Sequence, residues 1–378
     1  IFAYDRAEKT TKIVSVDSEG EQSNGNHSSA RISESGRYVV FSSNATDLVE
    51  GSGSKLNVYR HDLYGGDTIL ISKGLNSEPA NGTSGNSDIN SDGNIIVYTS
   101  RASNIVSNDN NTYYDVFMYN VIEGTTTLVS MSNSGIQANS NTISRPSISN
   151  DGRYIAFASS ASNLIDGKND VNGYQKDAFL FDNKYQDLRL LNVDSQGDQN
   201  VEAVSYVSVS GDGKYVAFNS FKNDLVEPSI AGIVGYIYTV EDGTLQAPIR
   251  SKSGDIITAG INGISEDGQY LSFGTGEKTW QEVGDANDQY DIYRLNTITK
   301  EVDIIALRLD GSQTNTKPYG YVMSSDGQSV VYGSLDRLLV GLNEPSSYKI
   351  GLVRNFMKTC EGFTPTISGT TGDDELVG

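Results

Sequence analysis

Three stretches of the chain set oxygen-bearing side chains at alternate positions and close the pattern with a carboxylate: Asp109-x-Asn111-x-x-x-Asp115, Asp285-x-Asn287-x-x-x-Asp291, and, one residue longer, Asp170-x-Asn172 with Asp177. Donors of this kind at this spacing suit a hard, flexible ion, and calcium is the cofactor they predict. A structural reading competes, in which the same Asp and Asn residues fold back on loop amides as Asx-turns at the head of a strand. The loops also hold Tyr113, Tyr114, Tyr174, Trp280 and Tyr290. Rings beside acids suit stacking on a sugar, while tyrosine in a strand-rich chain also serves as a packed neighbour.

Catalytic chemistry has few candidates. The two histidines, His27 and His61, lie more than thirty residues apart, and no Gly-x-Ser-x-Gly elbow, P-loop or His-Glu-x-x-His motif occurs. His61, between Arg60 and Asp62, reads as a solvated strand residue; His27 is the one candidate base, weak on its own. The Asp373/Asp374 pair is no glycosidase couple, because adjacent residues on a strand or turn point apart. A further phrase, Gln22-x-Asn24, Gln137-x-Asn139, Gln199-Asn200 and Gln313-x-Asn315, follows a glycine each time. It satisfies backbone groups where the chain crosses between repeats, or it recognises a ligand.

The elements that position these residues are repeats. SESGRYVVF, NSDGNIIVY, SNDGRYIAF, SGDGKYVAF, SEDGQYLSF and SSDGQSVVY begin at Ser33, Asn90, Ser149, Ser210, Ser265 and Ser324, with their glycines 57, 59, 61, 55 and 59 residues apart. Each Asp-Gly or Ser-Gly between apolar stretches predicts a hairpin whose turn needs positive φ. A phrase such as TDLV, SNIV, SNLI or NDLV follows, and then a second strand pair, for example DVFMYNV with TTLVS. Four strands, A to D, per unit and no helical period predict an all-β, six-bladed propeller. In such a fold the D–A and B–C loops share one face, which is where the acidic and aromatic loops fall. Residues 1–20 align without gaps on 116–135 with eight identities, so the chain opens on strands C and D. The expectation is that residues 348–356 supply the third strand of the last blade and the N-terminal strand closes the ring.

The Ser-x-Asp-Gly-Arg-Tyr-ϕ-Ala-Phe phrase, with Asn-Leu-Val and Asp-Val-Phe-ϕ-Tyr after it, resembles the TolB-like, WD-repeat-like propellers of bacterial exported proteins over residues 1–357. Residues 358–378 read as a linker and the start of a further region: ISGTTGDDELVG resembles the entry into hemolysin-type (RTX) calcium repeats at Gly369, Gly372, Asp374 and Leu376, with Thr370 departing from the pattern. That resemblance implies a metal role for Asp374 and continuation into further domains. The net charge of −20 argues against nucleic acid or an anionic membrane as partner. The single Cys360 makes no internal disulfide, and no run of 18 apolar residues predicts membrane insertion. The chain is therefore expected to be an extracellular or cell-surface, calcium-associated module that binds a protein or glycan on the D–A/B–C face, with a polysaccharide lyase or hydrolase as the alternative.

Overall fold

The repeated turn is closed by its own side chains. In the computed structural model, Ser149 Oγ donates to Asp151 Oδ1 at 2.6 Å and accepts from the Tyr154 amide at 2.9 Å, and Gly152 N–H donates to the Ser149 carbonyl. Ser210/Tyr215 and Ser265/Tyr270 repeat these bonds; in the first copy Ser33 Oγ meets Ser35 and the Tyr38 amide. Fixing the turn fixes the register of the hairpin behind it. Gly152 takes φ +73°, a left-handed conformation that glycine adopts without the Cβ penalty.

The structure describes residues 1–5, 7–142, 144–167, 170–199, 202–223, 225–277, 289–307, 312–314, 316–334 and 350–355. Strands β1 (Phe2–Asp5) and β2 (Thr10–Ile13) form a two-stranded antiparallel sheet. Antiparallel four-stranded sheets follow: β3 (His27–Ile32), β4 (Tyr38–Ser43), β5 (Asn57–Asp62) and β6 (Thr68–Leu70); β7 (Ser84–Ile89), β8 (Ile95–Ser100), β9 (Asp115–Asn120) and β10 (Thr125–Leu128); β11 (Ser147–Ile148), β12 (Tyr154–Ser159), β13 (Asp177–Asp182) and β14 (Asp187–Leu190). Next come β15 (Val204–Val209), β16 (Tyr215–Asn223), β17 (Ile230–Thr239) and β18 (Leu245–Gln246), then β19 (Gly260–Ile264), β20 (Tyr270–Thr275), β21 (Asp291–Asn296) and β22 (Val302–Ile304). The last sheet has three strands, β23 (Tyr319–Met323), β24 (Ser329–Ser334) and β25 (Ile350–Asn355), with β25 paired to β24 from Ile350↔Ser334 to Asn355↔Ser329. The only helical element among the described residues is a 3₁₀ turn at Leu75–Ser77. By packing, the chain divides into residues 1–209 and 210–376.

Each four-stranded sheet is stitched across its second and third strands by an aromatic pair: Phe41–Tyr59, Tyr98–Phe117, Phe157–Phe179, Phe218–Tyr236 and Phe273–Tyr293, with centroids 5.4 to 5.8 Å apart. Such offset pairs add about 1 kcal/mol each beyond area burial. Consecutive sheets pack face to face, as where Val97, Val116 and Val129 meet Ile148, Ile155 and Phe179. Successive turns also touch directly. The Ser35 amide donates to the Ser91 carbonyl and the Ser91 amide to Asn150; in the second unit Asp212 donates to Glu266, and Glu266 to Ser325.

This docking is the reason the phrase repeats with both its glycine and its tyrosine. A Cβ on Gly93 would lie 2.2 Å from the Tyr38 ring, on Gly268 2.2 Å from Tyr215, and on Gly327 2.5 Å from Tyr270. The aromatic ring of one copy sits on the bare glycine of the next.

The N-terminal hairpin packs onto the first full sheet. Val14 is fully buried among Ala30, Phe41, Tyr59 and Leu70, with Ile1 and Ala3 against the same cluster. The Ile1 ammonium donates to Ser15 Oγ at 3.0 Å, and Thr68 Oγ1 donates to the Val16 carbonyl at 2.6 Å.

Candidate functional site

The two repeated polar phrases prove to be halves of one structure. Asn139 Nδ2 donates to Ser162 Oγ at 2.9 Å, the Ser162 amide returns to Asn139 Oδ1 at 2.9 Å, and Asn163 Nδ2 donates to the Gln137 carbonyl at 2.9 Å. Asn24 makes the matching bonds to Thr46 and Asp47, and Asn81 to Ser103 and Asn104. Thus Asn24, Asn81 and Asn139 each clip the Ser/Thr-Asn/Asp phrase that follows strand B, while Asn200 and Asn315 lie outside the described residues. Their role is to satisfy loop groups, the structural alternative weighed above.

The glutamine does something different. Each D–A loop doubles back through an antiparallel bridge, Met131↔Gln137 and Val193↔Gln199, over a glycine at φ +83° (Gly135) or +82° (Gly197). The loop thereby aims the glutamine at the acids ahead of strand C. Gln137 Nε2 donates to Asp109 Oδ1 at 2.7 Å and to Asp115 Oδ2 at 2.9 Å, while its Oε1 accepts from the Asn110 amide at 3.0 Å. Ser130 Oγ donates to the other Asp115 oxygen at 2.6 Å. Asp115 is fully buried, and burial, with Asp109's charge adding to it, pushes its carboxyl up to about 6 against the pull of the Ser130 and Gln137 hydrogen bonds. Asn111 closes the loop, its amide donating to Asp109 Oδ1, its Nδ2 to the Ala138 carbonyl and its Oδ1 accepting from Tyr113.

The next repeat copies this arrangement. Gln199 Nε2 bridges Asp170 Oδ1 (3.1 Å) and Asp177 Oδ2 (2.8 Å), and Asn192 and Asn172 donate to Asp177 Oδ1 at 2.7 and 2.8 Å. Burial raises the Asp177 carboxyl, opposed by these donors. One feature differs from the first copy: Asp170 Oδ2 is buried without a hydrogen-bond partner. A cavity of about 20 Å³ lies there, lined by Asp170, Asp177, Phe179 and Gln199. In the second unit Asp291 is fully buried with Gln313 Nε2 at 3.5 Å, while Asp285, Asn287 and Trp280 lie outside the described residues, as does Asp374. In the first sheet Asn57 stands where Asp115, Asp177 and Asp291 stand in theirs, accepting from Ser72 Oγ at 3.1 Å.

These loops set the fit of a cation. In the Asp109 loop the glutamine amide N–H occupies the gap between the carboxylates, so the acids already have their counter-donor. In the Asp170 loop an oxygen and a space remain. Among the described residues no three Asp, Glu, His or Cys side chains converge.

The aromatic candidates separate into two kinds. Tyr113 and Tyr174 face solvent, 43% and 91% exposed. Tyr114 is half-buried beneath the Arg101 guanidinium, 5.5 Å from the ring, and Tyr290 is half-buried with Lys317 Nζ 4.5 Å from its ring. Burial raises the Tyr290 hydroxyl. His27 lies edge-on to Phe41, its Nε2 3.1 Å from Ser23 Oγ, and burial and the N-terminal charge hold it below the usual histidine range. His61 is not solvated as expected: it is 5% exposed, with Nδ1 on Thr68 Oγ1 at 2.9 Å, because strand β5 lies inside its sheet. A groove of about 760 Å³ along the outer strand β10, lined among others by Lys73, Ile105, Met131 and Phe181, carried no sequence signal, since its walls come from separate repeats.

No family model matches the chain, and no curated protein matches it. Among solved structures it is similar to a prolyl endopeptidase, with 9% identity over 88% of this chain, 41% of that one and a TM-score of 0.53. This chain thus spans less than half the length of that enzyme. It is also similar to a putative TolB from Agrobacterium tumefaciens (13% identity, 80% of this chain and 86% of that one, TM-score 0.44) and to the β-propeller domain of the trilobed protease from Pyrococcus furiosus (12%, 82% and 78%, 0.49). The fold is a β-propeller. Identities this low speak for the architecture alone, since propellers host unrelated functions. The repeated sheets are its blades, and the clamped Asp-x-Asn loops lie at the B–C connections.

Proposed function

We propose that this propeller is a binding module of a larger secreted or cell-surface protein, taking a protein or glycan ligand at the rim that carries Tyr113 and Tyr174. One observation carries the reading. Asp-x-Asn-x-Tyr occurs in two consecutive blades, each copy is braced by a glutamine from the following D–A loop, and each leaves its tyrosine in solvent. A large ring on an already ordered loop offers contact area with little ordering left to do on binding. Two such rings, one repeat apart, suit an extended ligand such as a saccharide chain, on which tyrosine stacks. The Tyr113→Ala/Tyr174→Ala double variant is expected to bind at least about tenfold more weakly to whichever soluble polysaccharide or protein the wild type retains, at an unchanged melting temperature. Equal affinity in calorimetric titration would remove the rim from consideration.

Calcium belongs to the same proposal as a brace of the Asp170–Asp177 loop. The unpartnered Asp170 Oδ2 and the cavity beside Asp177 support it, since a space of about 20 Å³ accommodates one water-sized sphere or ion. An ion bound to the folded state stabilises by mass action, about 2.7 kcal/mol at a free concentration near 100 times the dissociation constant. Calcium should therefore raise the melting temperature of the chelator-treated protein, and Asp170→Asn should abolish the rise. A calcium response that survives Asp170→Asn places the ion elsewhere.

A further inference from the structure

The first strands of the sheets in residues 1–209 come together, β3 against β7, β7 against β11 and β11 against β15. Three of these four strands, β3, β7 and β15, carry an irregularity at one repeat position. The register shifts between Ser28 and Arg31 and between Gly85 and Asp88, and Ser29, Asn86 and Tyr206, all seven residues before the turn glycine, take φ of +58°, +50° and +49°. Left-handed backbone at non-glycine residues costs free energy and persists where the surroundings impose it. A bulge of this kind re-aims side chains.

The residues at these positions are polar and charged. Arg145, just ahead of β11, and Tyr206, in β15, occupy the same repeat position in their units, and two residues on stand Arg31, Asp88, Ser147 and Ser208. The corresponding residues of the second unit are Ile261 with Gly263 and Gly320 with Val322. Asp88 and Tyr206 are half-buried, as are Arg31 and Arg145. Two guanidinium groups thus face one carboxylate. Asp88 Oδ2 already accepts from the Ile148 amide at 3.1 Å, and neither arginine forms an ion pair within 4.0 Å among the described residues. Ser147 and Ser208 hydroxyls lie 3.2 Å apart beside them. The electrostatics agree with the geometry: burial and the nearby charge of Arg31 lower the Arg145 guanidinium to about 10, and burial raises the Tyr206 hydroxyl to about 12. Within a chain of net charge −20, this is an enclosed excess of positive charge.

We propose that this cluster on the adjoining first strands binds the oxyanion group of a small ligand, a carboxylate or a phosphate, with Arg31 and Arg145 as its cationic partners and the Tyr206 and Ser208 hydroxyls as donors. Planar guanidinium groups match both oxyanions, and Asp88 offsets part of their charge. The site uses elements other than the tyrosine loops and stands or falls independently of them. The test is calorimetric titration of the full chain, in low-salt buffer, with succinate and with inorganic phosphate. Saturation with a dissociation constant of about 1 mM or tighter is expected for at least one of them, and which one saturates names the source. Arg145→Gln and Arg31→Gln should each weaken binding about tenfold, while the exposed Arg189→Gln should leave it unchanged. Asp88→Asn should act in the opposite direction, tightening binding severalfold by removing the competing negative charge, a result that loss of folding cannot imitate. No saturation by either anion, or binding indifferent to Arg145→Gln, Arg31→Gln and Asp88→Asn, would overturn the assignment.

Discussion

Replacing Gln137 with leucine is expected to destabilise the protein by about 2–3 kcal/mol at pH 7 and by much less at pH 5, a difference set by the two carboxylates it bridges. Its Nε2 is the one donor shared by Asp109 and Asp115. Without it, Asp115, in a fully buried position, loses one of its side-chain donors and keeps Ser130 and Asn111. The carboxyl of Asp115 sits at about 6 in the folded protein against 3.8 for an unburdened aspartate. The folded state therefore binds more protons than the unfolded chain between those values, and stability falls as pH rises through that window. The wild type should accordingly gain stability on acidification from pH 7 to pH 5. Gln137→Leu removes a bond that favours the ionised form, so its deficit is largest where Asp115 is charged and shrinks once the carboxyl holds a proton. Asp115→Asn supplies the control, and the molecule already contains its precedent in Asn57. That variant should flatten the pH dependence and rescue Gln137→Leu. Urea titrations at both pH values read all of this. A Gln137→Leu deficit equal at pH 5 and pH 7 would show that the glutamine acts by packing alone. Repeating the series with excess calcium asks a second question, since an ion that replaced the amide between Asp109 and Asp115 would restore Gln137→Leu without acidification.

The turns and strand order were legible in the sequence because their determinants are local. Ser149, Asp151, Gly152 and Tyr154 fall within six residues, and each bond that closes the turn runs among them. The site was legible only in pieces. The Asp-x-Asn loop and the Gln-x-Asn loop each stood out by repetition, yet their meeting depends on an antiparallel bridge that returns the D–A loop beside strand C, with Gln137 22 residues from Asp115. The acids suggested a cation, while the glutamine amide that reaches Asp109 and Asp115 comes from a loop their own spacing does not reveal. The charged cluster on the first strands was less visible still. Arg31 and Asp88, five residues before their turn glycines, and Arg145 and Tyr206, seven before theirs, are unlike pairs at corresponding positions of successive repeats, and an eye trained on similarity passes over the positions that vary. Variation at an inward-facing position of an otherwise regular repeat is itself a signal, since packing alone would favour uniformity there.

Deleting residues 1–16 is expected to cost the most of any change considered, on the order of 4 kcal/mol or a fall of about 10 °C in melting temperature. The segment buries Val14 completely against Phe41 and Tyr59, brings Ile1 and Ala3 to the same cluster, and supplies the Val16 carbonyl to Thr68 Oγ1. Truncating one buried aliphatic side chain costs about 2 kcal/mol or more, and the deletion removes several contacts together. The strands β1 and β2, bonded to each other from Phe2↔Ile13 to Asp5↔Thr10, leave together. The point substitution Val14→Ala separates packing from closure. If the hairpin matters only through its core contact, Val14→Ala should reproduce most of the loss and leave the protein monomeric. If the N-terminal strands also close the ring of blades, the deletion should go further than the point variant, with a broadened transition and concentration-dependent association of exposed edges in light scattering. An unchanged melting curve after deletion would mean that the first full blade holds its own fold, and the N-terminal segment would then be an appendage.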